Sequence, residues 1–300
     1  MSTALVGAVS QGILWGVMVL GVYITYKLLD IADLTADGSF AFGGCVCAVM
    51  IVRYNMNPGV ALLFATLAGM IAGFVTGVLH TIFGIPAILS GILTQISLWS
   101  INLRVMGMSN LPLLKVNTIF TGLSESAKVS NSVSGVIIGG IIVLFIIILL
   151  YWFFGTELGS ARRATGNNEA MIRALGVNTA HTKLLALIIS NGLIGLSGGL
   201  IVQSQKYADI NAGTGAIVIG LAAIVIGEVI LGRFISFGMK LFSAVAGSTV
   251  YFLIRGIVLQ LGMDANDMKM LSAIIVALAL SVPVISAKIK ANRAYSPEGE

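Results

Sequence analysis

Apolar runs recur along this chain, and polar positions are largely confined to the intervals between them. A helix needs about 20 residues to cross the hydrocarbon core of a bilayer. By that measure the runs predict spans near 4–26, 38–53, 58–80, 86–103, 134–154, 184–205, 215–231, 236–259 and 269–287. Runs of this length point to helices, because a membrane strand needs only about 10 residues. The expected fold is an all-α integral membrane protein, a polytopic bundle of about 8 to 9 transmembrane helices with some short or broken members. The runs leave no room for a separate soluble domain, so residues 1–300 are read as a single transmembrane domain. Its first apolar run has no basic residue before it and is read as a retained span. The second and seventh runs are short, and each begins at a polar, Gly-containing stretch. Both are expected to start partway through the membrane, where irregular backbone has to face protein or a wet cavity.

Composition sharpens one of these breaks. Hydrophobic residues make up 57% of the chain, charged residues 10%, and the mean hydropathy is +1.02, whereas soluble domains carry about 25% charged residues. Of only 12 acidic residues, three (Asp30, Asp33 and Asp37) lie in the stretch LLDIADLTADGSFAFGG. Two readings stand side by side. Asp33, Asp37, Ser39 and Phe40, with Thr214 and Glu228 from the later short run, could line a solute pathway where helix starts offer backbone groups to the interior. Alternatively the aspartates cap and start the second span. Glu228 has its own alternative, an ion pair with Arg255 on the next span.

The basic residues set the orientation. Arg162, Arg163, Arg173 and Lys183 fall in the loop at about 156–183, and Lys288, Lys290 and Arg293 fall in the tail. Both are expected on the cytoplasmic side, with the N-terminus outside, the C-terminus cytoplasmic, Arg233 inside and the segment at about 104–133 outside. The net charge of +5 then reflects topology, not affinity for nucleic acid. Gly69, Gly73 and Gly77 form a small-residue row that lets helix backbones approach closely, within the bundle or at a dimer contact. Cys45 and Cys47 match no metal or redox spacing and are read as packing or lipid-facing residues.

Several chemistries are excluded or weakened. GLSGG (Gly195–Gly199) contains the Gly-x-Ser-Gly of rhomboid-type intramembrane proteases, but a nucleophilic serine needs a base. The two histidines, His80 and His181, both precede it near span edges, so Ser197 is read as a packing residue. No lysine follows a glycine anywhere, so the chain has no P-loop of its own. An ion-coupled carrier would hold ionisable groups deep in its spans, and Glu228 is the clearest such group in the later spans.

The loop segment GNNEAMIRALGVNTAHTKLLAL has a polar start, an acidic residue at Glu169 opening a short helix, and a Gly-punctuated stop at Ala174–Asn178. It resembles the coupling loop of ABC importer permeases, in the branch that carries branched-chain amino acids, ribose and related solutes. LDIADLTADGSFAFGG and NAGTGAIVIGLAAIVIGEVILG resemble two further segments of that family, and the similarity extends from about Ala8 to Ala287. YITYKLLDIADLTADGSF and SINLRVMGMSNLPLL look most like a subgroup tied to amino-acid uptake, including tryptophan or tyrosine. The chain departs from the sugar-permease form by carrying Ala-Asp where that form has Val.

The resemblance implies a permease domain in the bacterial cytoplasmic membrane. Two copies would form the pore, driven by cytoplasmic ABC ATPase subunits that bind ATP and Mg, with no cofactor on this chain. An extracellular or periplasmic solute-binding protein would deliver a small-molecule solute, such as an amino acid, and hold most of the selectivity. Gly166, Asn167, Asn168, Glu169, Ala170, Arg173 and Gly176 would couple to the ATPase, with Glu169 and Arg173 foremost. A solvated surface face is the plain alternative for them. Arg104, Asn110 and Lys115, in the outer segment, would dock the binding protein, or are simply exposed. The competing functions are an ion-coupled secondary transporter, an ABC permease for a sugar or nucleoside, and a non-transporting scaffold.

Overall fold

The computed structural model describes residues 2–114, 116–231, 236–264, 267, 270–278 and 281. Lys115, Arg233, nearly half of the ninth expected span and the basic tail lie outside these residues. The described elements are α1 (Ser2–Tyr23), α2 (Thr35–Val52), α3 (Pro58–Thr81), α4 (Ala87–Met106), β1 (Asn110–Pro112), α5 (Ile119–Ala127) and α6 (Asn131–Gly155). They continue with α7 (Glu157–Asn167), α8 (Glu169–Ala174), α9 (Thr179–Gln205), β2 (Tyr207–Asp209), α10 (Ala216–Leu231) and α11 (Phe237–Gln260). Among the described residues, six helices are long and apolar enough to cross a membrane: α1, α2, α3, α6, α9 and α11. α4 spans 20 residues but carries more polar side chains, and α10 is a shorter apolar helix.

Local chemistry sets the helix ends. Asn57 caps α3, its side chain accepting from Gly59 N, with Pro58 in the first turn. Asn178 caps α9 by accepting from Ala180 N and His181 N. Lys206, with φ 61°, turns the chain out of α9. α1 runs on as one π-helical turn, Ile24–Leu28, and the chain leaves it at Asp30, with φ 56°.

Helices α2 and α9 form the centre of the bundle, packed against each other and against α1 and α3, with α10 and α11 beyond α1. The bundle has two distinct ends. At one, β1 and β2 pair antiparallel, Leu111 opposite Ala208, and Arg53 donates to the carbonyls of Val105 and Met106. The opposite end carries α7, α8 and the end of α1. These are the sheet end and the α8 end.

The glycine row has an explicit partner. A Cβ at Gly69 would run into the carbonyl of Asn191, one at Gly73 into the carbonyl of Leu187, and one at Gly77 into the Leu184 side chain. The row therefore seats α3 on α9 within one protomer, the intramolecular one of the two expected roles. Ser197 is fully buried and donates to the carbonyl of Leu14 at 2.9 Å, as a packing serine does. Cys45 and Cys47 are both buried, because α2 is covered by neighbours on most of its circumference.

Candidate functional site

The two short helices begin at one place. The chain enters α2 from the α8 end and α10 from the sheet end, yet Asp37, in the first turn of α2, reaches the start of α10. Its Oδ2 accepts from Gly215 N at 2.8 Å and its Oδ1 from Ile217 N at 2.9 Å. Two chains arriving from opposite ends can meet there only if both helices start inside the bundle. Their 18 and 16 residues give about 27 and 24 Å of helix, short of a core about 30 Å thick.

This corrects the capping expectation for Asp37, which satisfies the free amides of α10 and not those of α2. A carboxylate is favoured there, since the first amides of a helix have no partners within it. The physical consequence is that the N-terminus of α10 already holds an anion. Hydrogen bonds to a charged group contribute about 1.5–3 kcal/mol each, so Asp37→Ala is expected to destabilise the protein by about 3 kcal/mol. Asp37→Asn, which keeps one acceptor, should cost clearly less, and thermal unfolding in detergent reads the difference.

Asp33 is the residue that serves α2. It is 2% exposed, and its Oδ1 accepts from Thr35 N at 3.0 Å. Its Oδ2 accepts from Asn191 Nδ2 at 2.7 Å, and Asn191 Oδ1 in turn accepts from Ser39 Oγ at 2.7 Å. A hydroxyl chain continues sideways, from Thr35 to Thr76 at 2.7 Å and from Thr76 to Thr94 at 2.9 Å. These bonds tie the break before α2 to α9, α3 and α4, which buried polar groups require.

On the sheet-end side of this crossing lies a cavity of about 1010 Å³. Phe40 and Thr214 line it; Asp37 and Thr214 border a smaller neighbouring cavity of about 240 Å³. Asp33 and Ser39 line neither, because their polar atoms are turned to Asn191. The large cavity gathers residues that the sequence reading did not single out as a site. Trp15 stacks on Phe40 with centroids 4.6 Å apart and meets Phe252 at 5.4 Å. Arg255, one turn beyond Phe252 on α11, holds its guanidinium 5.8 Å from the Phe252 ring centre. Asp209, from β2, is the other charged residue in the lining. These positions come from four separated segments, and only an interest in aromatics near helix ends could have flagged them.

Glu228 sits elsewhere. It pairs with Lys27 at 2.9 Å, at the α8 end, with side chains 40% and 35% exposed. This corrects the expected pairing with Arg255: α10 and α11 run antiparallel, which sends Glu228 and Arg255 to opposite ends of the bundle. A pair this exposed contributes about 1 kcal/mol or less.

At the α8 end, the loop folds as two helices where the sequence predicted one. Gly166 and Asn167 close α7, and Gly166 packs tightly on the Leu28 carbonyl, so it is a contact to α1 and not part of the short helix. Asn168 caps α8, its Oδ1 accepting from Met171 N at 3.0 Å. Glu169 accepts from Lys183 Nζ at 2.7 Å, from Arg173 Nη2 at 2.8 Å and from Thr179 Oγ1 at 2.9 Å. The two residues singled out for coupling are thus tied to each other and, through Lys183 and Thr179, to α9. Ala170 is exposed, and Gly176, with φ 83°, turns the chain toward α9. Two large apolar side chains stand outward beside the exposed Arg173: Met171, on α8, is 58% exposed and Leu175, its C-cap, 68%.

The hydrogen bond from Lys183, with Thr179 and the two nearby cations, holds the Glu169 carboxyl below its usual range. A carboxylate whose folded value is depressed contributes stability above its ordinary value of about 4.3, lost as pH falls through the lower folded value. Attachment of α8 to α9 is therefore expected to persist at neutral pH and loosen below about pH 4. Amide exchange in residues 169–183 across that range checks it, and Glu169→Gln should loosen the segment at pH 7.

Of the expected docking residues, Arg104 lies in the last turn of α4 and Asn110 in β1 opposite Asp209, both at the sheet end. Lys115 lies outside the described residues.

The chain is similar to known proteins along most of its length. The chain is 37% identical over 292 residues to a tyrosine transport system permease protein of Clostridioides difficile (strain R20291), covering 97% of this chain and 95% of that one. It is 32% identical over 280 residues to an uncharacterised protein of Rickettsia prowazekii (strain Madrid E), covering 92% and 96% of the two chains. An autoinducer 2 import system permease of Salmonella typhimurium is 30% identical over 198 residues, 62% of this chain and 53% of that one. Residues 4–280 match the family model for the permease component of branched-chain amino acid transport systems, and the chain belongs to that family.

Proposed function

We propose that this chain is the membrane subunit of an ATP-driven, binding-protein-dependent amino-acid importer. Family membership makes it a transport permease, a multi-pass protein of the bacterial cell membrane and not itself an enzyme. The observation that supports the finer reading is α8. It is a short helix held to α9 through Glu169, while Met171 and, just after the helix, Leu175 stand exposed beside Arg173. Such a helix suits a groove on a second protein, and a cytoplasmic ABC ATPase carrying ATP and Mg is the partner proposed. The α8 end is then cytoplasmic and the sheet end, with the N-terminus, faces outside. There Arg104 and Asn110 are placed to meet a binding protein. In this reading residues 1–300 form one permease domain of eight to nine spans, with α4, α10 and the segment after α11 counted among them. A second copy completes the pore.

The solute is proposed to be an aromatic amino acid, by analogy with the tyrosine permease relative and the aromatic lining of the sheet-end cavity. The autoinducer 2 permeases support a second reading, a sugar-like solute. In vesicles containing this chain, the ATPase and the binding protein, uptake of labelled tyrosine supports the first reading, and uptake of autoinducer 2 in its place the second. Uptake of labelled tyrosine that stops with vanadate and survives collapse of ion gradients is the expected result. Uptake abolished by collapse of the gradients alone would favour an ion-coupled carrier.

A further inference from the structure

The sheet-end cavity carries charges of both signs beside an aromatic group. Arg255 and Asp209 are its two charged lining residues. Among the described residues neither is held in an ion pair. One oxygen of Asp209 is engaged by Asn211 N at 2.7 Å, and the Arg255 guanidinium is steadied by the ring of Phe252. Trp15, Phe40 and Phe252 form a contiguous aromatic group, and Gln11 and Gln205 add amides.

We infer that this cavity is itself a selective binding site for a zwitterionic amino acid with an aromatic side chain. Arg255 takes the carboxylate, Asp209 faces the ammonium, and the solute ring packs against Trp15 and Phe252. This rests on the amino-acid import reading and adds that the permease, and not the binding protein alone, discriminates among solutes.

Three physical points assign the roles. A guanidinium matches a carboxylate with two parallel hydrogen bonds, which a neutral solute cannot use. The competing anion site in the crossing, the N-terminus of α10, is already occupied by Asp37, so Arg255 is the cation open to the solute. The faces of Trp15 and Phe252 favour an incoming ring over an aliphatic chain. One cation and one anion in the lining select a molecule that carries both charges over a sugar or a simple amine.

The test uses the permease assembled with its ATPase in nanodiscs, without the binding protein, titrated calorimetrically. L-tyrosine is expected to bind about tenfold or more tightly than tyramine, which lacks the carboxylate, and than L-alanine, which lacks the ring. Arg255→Gln should reduce the tyrosine affinity to the level of tyramine and leave tyramine unchanged. Arg255→Lys, which keeps the charge, should recover part of the difference and guards against a misfolded glutamine variant. Equal binding of tyrosine and tyramine, no measurable tyrosine binding, or an Arg255→Gln variant with unaltered discrimination would overturn the inference. Failure of the importer reading is a separate observation: no ATP-driven amino-acid uptake by the complete system.

Discussion

Replacing Met171 and Leu175 together with aspartate is expected to abolish ATP-driven uptake while leaving the bundle folded. Both side chains face away from the protein, at 58% and 68% exposure, so the fold loses little by their change. A partner groove loses much more. Full burial of a Met or Leu side chain contributes about 1.5–3 kcal/mol, so the pair removes about 3 kcal/mol or more, a hundredfold-scale loss of affinity. Burying two carboxylates would add a further penalty. Co-purification of the ATPase should fail, solute binding by the isolated permease should persist, and thermal unfolding should be unchanged. An ATPase that still co-purifies at wild-type yield and drives uptake would show that coupling runs through another surface. Glu169 and Arg173 act differently here. Their bonds fix how α8 presents its apolar residues, so Glu169→Gln is expected to weaken coupling less than the double aspartate change.

The second large effect is steric. Gly73→Val is expected to cost about 2–3 kcal/mol, the range for overpacking a tight interior, because the added atoms meet the backbone of α9. A Cβ at Gly73 would strike the Leu187 carbonyl and lie 2.8 Å from Asn191 Cβ. Moving α9 away also moves Asn191, which holds Asp33 and Ser39. The substitution therefore disturbs both helix packing and the buried polar network. Gly77→Ala offers the contrast, since its added atom meets only the end of the Leu184 side chain, which can rotate aside. That variant should lose about 1 kcal/mol or less. Melting of both variants in detergent, side by side, checks the difference; equal losses would mean that α3 and α9 can slide apart.

Much of the architecture was legible without coordinates. Apolar runs marked the membrane helices, polar Gly-containing stretches marked α2 and α10 as short, and the loop pattern marked α8 as a short helix opening at Glu169. Each of these follows from local chemistry: burial in lipid demands continuous apolar helix, and a cap needs only its own first turn. The glycine row announced close packing for the same reason, though not its partner.

What the sequence could not carry were the pairings over long separations. Asp37 and Gly215 are 178 positions apart, and Asp33 and Asn191 are 158 apart. No local pattern says which helix start an aspartate will satisfy, so of the two readings open for Asp37, pathway lining or a cap on its own helix, neither foresaw that it serves α10. For Glu228 the alternative to a pathway role was a pair with Arg255 on the next span, while the antiparallel course of α10 and α11 leaves it with Lys27. Phe40 and Thr214 were legible as pathway residues, but that Trp15, Asp209, Phe252 and Arg255 join them around one cavity was not, because they lie on separate segments. Periodicity and composition determined that this chain is a helical membrane protein with two short, interrupted spans and a short helix in its basic loop. Tertiary packing alone decided which buried charge meets which amide and which side chains face the cavity, because those energies depend on contacts between segments that the chain order keeps apart.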